Sequence, residues 1–111
     1  MIIFTDKFVP KRFGAICVGP FIFIRKKFKY HSALPEIIAH EKVHIKQQQK
    51  LLWVGHWVMY AFSKKYRLKS EVEAYKVSLQ HGLPVKCAAK WLSTKYNLSI
   101  TYHDAVNLLV L

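Results

Sequence analysis

The chain has 111 residues, with 18 lysines and arginines against 6 aspartates and glutamates, and a net charge of +12. That length supports one domain, residues 1–111, and a hydrophobic content of 52% excludes a disordered chain. Such a charge draws a protein towards nucleic acid or an anionic membrane surface. The basic residues are scattered, however, apart from two clusters, Arg25-Lys26-Lys27 with Lys29 and Lys64-Lys65 with Arg67 and Lys69. No nucleic-acid module signature accompanies them, so nucleic acid is a secondary expectation.

The first residues, Met1-Ile2-Ile3-Phe4, run at once into Asp6 and Lys7 without the apolar stretch of a secretory leader, and a cytoplasmic location is the expectation. The widely spaced Cys17 and Cys87 fit reduced core cysteines, not a disulfide framework. Residues 1–24 read as β. Apolar runs lie at Met1–Phe4, Ala15–Val18 and Phe21–Ile24, the last two separated by the turn pair Gly19-Pro20. Pro10 demotes the run Phe8–Phe13 to an edge or a loop. A small antiparallel sheet of two or three strands is the expected outcome.

Residues 34–50, LPEIIAHEKVHIKQQQK, read as a helix. Ser32 is a candidate N-cap, Pro35 suits the first turn, and Glu36 suits the positive helix N-terminus. On a helical wheel Lys42, Lys46 and Lys50 form a solvated stripe, and Leu34, Ile37, Ile38, Ile45 and Leu52 form the buried arc. His40 and His44 fall on the flank of that arc. They belong to His40-Glu41-Lys42-Val43-His44, an HExxH sequence, and residues four apart on a helix stand one turn above each other. Both imidazoles can therefore hold one metal ion, with Glu41 beside it. Two inward imidazoles without partners would be costly to bury, and a shared metal would satisfy both.

The 12 residues 51–62, LLWVGHWVMYAF, are too short to span a bilayer and are interrupted by His56. They read as a core helix or backing segment. A peripheral membrane contact is the alternative, because lysines flank them. Residues 67–80, RLKSEVEAYKVSLQ, form a second informative helix. Glu73 shares a face with Lys69, Lys76 and Gln80, as an exposed residue would. Glu71 shares its face with Leu68, Val72, Ala74, Tyr75 and Leu79. A carboxylate on an apolar face needs a cation, so Glu71 is the better third ligand. Gly82-Leu83-Pro84 ends this helix, Val85–Tyr96 forms the next with Asn97 closing it, and Thr101 with Asp104 opens a last one over Tyr102–Val110.

HExxH followed by Glu71 on a second helix, with Ala74 three positions on, resembles the gluzincin metallopeptidases, and the length is similar to that of the minigluzincins and of small phage HExxH proteins. The resemblance implies an α+β fold in which a small N-terminal antiparallel sheet precedes a helical zincin-like core. It implies a zinc-dependent peptidase with His40, His44 and Glu71 as ligands of Zn²⁺ and Glu41 as general base. Where gluzincins often carry an aspartate that orients a ligand histidine, this chain has Tyr75, a candidate to bond a ligand or the oxyanion. His56, His81 and His103 are the other oxyanion candidates. The strand Phe21–Ile24 resembles in position the edge strand that aligns a peptide or protein substrate, which implies binding by strand addition. Two further classes follow from the residues themselves: a catalytically silent zinc-stabilised scaffold, and a basic module for nucleic acid or a membrane surface.

Overall fold

The Gly19-Pro20 turn organises the N-terminal part of the chain. The computed structural model describes all 111 residues, and in it strand β2 (Ala15–Val18) returns as β3 (Phe21–Ile24) through that turn. Gly19 has φ +58, a left-handed conformation that side chains disfavour. The two strands pair antiparallel, with Cys17 opposite Ile22 and Ala15 opposite Ile24. Strand β1 (Ile2–Phe4) takes the other edge of β3 and runs parallel to it.

The sheet is therefore mixed, in the order β1-β3-β2, and not antiparallel throughout. The connection 5–14 explains the difference. A tight turn there would have paired β1 with β2. The long connection instead spans two strand spacings, about 10 Å, and leaves room for β3 between them. Arg25 holds this connection down, donating from Nε to the Phe13 carbonyl and from Nη2 to the Val9 and Pro10 carbonyls at 2.7–2.8 Å. Phe8–Phe13 thus forms a loop, with Val9 buried.

A 3-10 turn at Lys26–Phe28 leads to helix α1 (Leu34–Lys50). Ala33 occupies the N-cap position, one residue beyond Ser32, and makes no side-chain cap bond. Ile22 and Ile24 alternate inward on β3 and meet Leu34, Ile37, Ile38 and Ile45 of α1, forming a first apolar cluster with Cys17. Helix α1 ends before Leu52 and Trp53, both at positive φ, and α2 (Val54–Phe62) follows. Only His56 of α2 is fully buried, so the helix covers the fold without entering its core.

Ser63 caps α3 (Lys64–Gln80), accepting the Tyr66 N–H. Helices α4 (Val85–Thr94) and α5 (Tyr102–Val110) close the chain, the latter opened by a complete capping box between Thr101 and Asp104. A second apolar cluster lies here: Tyr75 of α3 packs with Ala88, Ala89 and Leu92 of α4 and with Ala105 and Leu109 of α5. Between the two clusters α1 lies against α3. That seam is polar, holding His40, His44, Gln47, Ser70, Glu71 and Ser78, all buried, with Glu41 beside it and the buried Gln48 turned towards Cys17 and Gly19.

Candidate metal centre

Helical spacing puts His40 and His44 on one side of α1, and packing against α3 brings Glu71 to them. The three donor atoms form a small triangle. His40 Nε2 lies 3.2 Å from His44 Nε2 and 3.2 Å from Glu71 Oε1, and His44 Nε2 lies 3.3 Å from Glu71 Oε1. A tetrahedral divalent ion with bonds of about 2.0 Å needs ligand atoms about 3.3 Å apart, so the triangle has the size of one face of such a site. Two imidazoles and a carboxylate gathered this closely need a cation or a proton between them. The buried group can hold a metal ion.

The outer ring nitrogens show how the inner ones are freed. His44 Nδ1 lies 2.9 Å from Gln47 Oε1, an acceptor only, so Nδ1 carries the proton and donates it there. Gln47 is itself held by Ser70, which donates from Oγ to Oε1 at 2.6 Å and accepts at its carbonyl from Nε2 at 3.2 Å. His40 Nδ1 lies 3.4 Å from Ser78 Oγ, whose hydroxyl donates to the Glu36 carbonyl at 3.2 Å. Each Nε2 therefore faces Glu71, and His44 presents a lone pair there once its Nε2 proton is lost, the tautomer that metal ligation requires.

Electrostatics follow from burial and proximity. Burial pulls the His44 pKa down, but the Glu71 carboxylate outweighs it and raises the value to about 9. Burial pushes Glu71 up, yet the two histidines prevail and hold its carboxyl below the ordinary carboxylate range. Glu41 is different. Burial raises its pKa, the histidines offset part of the rise, and Glu71 adds to it. The Cys17 thiol, its pKa pushed up by burial and by the neighbouring Glu41, accepts a hydrogen bond from Gln48 Nε2 at 3.0 Å.

The remaining candidates are dispersed. Tyr75 places its ring edge-on against His40, with centroids 4.4 Å apart, but its hydroxyl is 2.6 Å from that of Tyr96 and touches no ligand. His81 is exposed and bonded to the Val77 carbonyl, and His103 is exposed on α5. His56 is buried, 6.3 Å from His44 between ring centroids, with Nδ1 2.8 Å from the Tyr66 hydroxyl. Glu73 is exposed. The tyrosine that reaches the centre is Tyr60 on α2, whose hydroxyl donates to Glu71 Oε2 at 2.5 Å. The sequence carried no signal for it beyond an aromatic residue in an apolar run. Its partner lies on another helix.

Two recesses meet at His40 and Glu41. One, of about 370 Å³, is walled by Ile16, Cys17, Trp57, Tyr60 and Arg67 beside the three ligands. The other, of about 340 Å³, is walled by Phe28, Ile37, Tyr75, Leu83 and Trp91. Phe13, Ala15, Lys95 and Tyr96 border both. Strand β3 is paired on both sides, so Phe21–Ile24 has no free edge for a peptide. The edge strand beside the centre is β2. No family model, no curated protein and no solved structure matches this chain.

Proposed function

We propose that the chain is a zinc metallopeptidase of the gluzincin type, with α1 and α3 as the two helices of a zincin-like core. The observation that carries this reading is the triangle of His40, His44 and Glu71 with a buried glutamate, Glu41, adjoining it in the sequence. Two imidazoles and one carboxylate are a donor set suited to zinc with a fourth position open, and the three separations fit its bond lengths. A zinc ion held there supplies Lewis-acid polarisation of the scissile carbonyl and makes water acidic near neutral pH.

Glu41 does the proton work. A carboxylate with a raised pKa is a better base than a free one, and it accepts a proton from the attacking water and returns it to the leaving amine. His40 and His44 keep their Nε2 lone pairs inward through Ser78 and Gln47. Tyr60 holds Oε2 of Glu71, which leaves Oε1 towards the histidines. A peptide added to the free edge of β2 lies across the His40-Glu41 step, with one recess on either side for its side chains.

The deciding variant is Glu41→Gln. Gln keeps the shape and cannot accept the proton, so hydrolysis of an unfolded protein substrate should fall by about 10² to 10⁴ while one zinc per chain stays bound. Activity within about threefold of the parent would remove Glu41 from the mechanism. A zinc-loaded parent that hydrolyses neither unfolded proteins nor a peptide library would make the centre a structural one.

A further inference from the structure

Helix α2 leaves most of its apolar side chains in solvent. Phe62 is 87% exposed, Val54 is 72% exposed and the preceding Leu52 is 81% exposed, with Val58 and Met59 about half exposed. Inward, the helix offers His56, the Tyr60 hydroxyl and the Trp57 indole N–H, which donates to Gln48 Oε1 at 3.0 Å. The outward residues are continuous with the β2–β3 turn. Val18, Trp53, Val54, Trp57, Val58 and Phe62 line one shallow apolar groove of about 540 Å³. Apolar surface of this extent on a soluble fold marks an interaction site.

Charge says what the surface meets. No acidic residue occurs between Glu41 and Glu71, whereas Lys50 precedes the apolar stretch and Lys64, Lys65 and Lys69 follow it. All four lysines are exposed, and none is paired with a carboxylate. A second copy would bring another basic face, on a chain of +12, against this one. An anionic lipid surface has the opposite sign and also accepts apolar side chains below its headgroups. Tryptophans beside such a patch suit the boundary between headgroup and acyl chain. No helix is long and apolar enough to cross a membrane, so the contact is a lateral one.

We propose that the α2 face docks this protein on an anionic phospholipid surface, with Leu52, Val54, Val58 and Phe62 entering the headgroup boundary and Lys50, Lys64 and Lys65 neutralising lipid charge. The proposal is independent of peptide hydrolysis. It is tested with the intact chain on vesicles of phosphatidylcholine with and without phosphatidylserine. Sedimentation should favour the phosphatidylserine vesicles by at least about tenfold and weaken with salt, and acyl-chain-brominated lipid should quench the tryptophan fluorescence. The double variant Val58→Asp/Phe62→Asp should lose at least about tenfold in vesicle binding and lose the quenching, with an unchanged melting curve because both side chains face solvent. Binding that survives this variant, or that occurs without quenching, is adhesion by charge alone and overturns the proposal. So does a wild type that ignores vesicles and forms a dimer that Phe62→Asp dissociates, since the face then belongs to a second copy.

Discussion

At His44 the two ring nitrogens are occupied differently, and that difference has a measurable consequence. Its pKa in the fold, about 9, lies above the ordinary 6.5, so the folded protein without metal binds this proton more tightly than the unfolded chain does. The associated stability is complete below pH 6.5 and is lost as pH rises through about 9. Zinc must displace the same proton. Apparent zinc affinity of the folded protein should therefore rise about tenfold per pH unit from neutral pH up to about pH 9 and level off there, measured by titration against a competing chelator. A profile flat across that range would show that His44 is not protonated in the metal-free protein. The two neighbouring glutamates give the second prediction. Glu71 is buried in the triangle and Glu73 is exposed. Glu71→Gln replaces an anionic donor with a neutral one and should weaken zinc binding by at least about tenfold, while Glu73→Gln leaves it unchanged. Loss of metal from Glu73→Gln instead would assign the third ligand to the wrong turn of α3.

At the scale of elements, the important pair is α1 with α3. Their interface is lined by polar groups satisfied by one another, as in the Gln47–Ser70 and Ser78–Glu36 bonds, and so gains less from burial than an apolar seam would. Three ligands on these two helices make a bound zinc a clamp across the seam. At free zinc about a hundredfold above its dissociation constant the clamp contributes about 2.7 kcal/mol. For a domain of this size that corresponds to about 10 °C in melting temperature, so a strong chelator should lower it by about that much. Superimposable melting curves with zinc and with chelator would leave the clamp without effect. Helix α2 teaches a different point. Its run of apolar residues has no polar stripe, so periodicity could not tell a core helix from an exposed one, and the packing put nearly all of it outside.

Across the whole molecule, two apolar clusters sit either side of the polar seam, one between the sheet and α1, the other among α3, α4 and α5. Much of what depended on neighbours along the chain was legible beforehand, although the N-cap of α1 fell on Ala33 and not Ser32, and Leu52 lies exposed beyond the helix instead of on its buried arc. Helical spacing aligned His40 with His44, the wheel turned Glu71 inward and Glu73 outward, Gly19-Pro20 made the hairpin, and Thr101 with Asp104 capped α5. These follow from a period of 3.6 residues and from turn and cap chemistry, which act over a few residues. Tertiary structure alone decided the rest. The parallel seat of β1, the burial of β3 between two strands, the Tyr60 bond to Glu71 and the Ser70–Gln47 support of His44 join residues far apart in sequence. Such pairings depend on how whole elements pack, and a local pattern constrains only which face an element turns inward, not what it finds there.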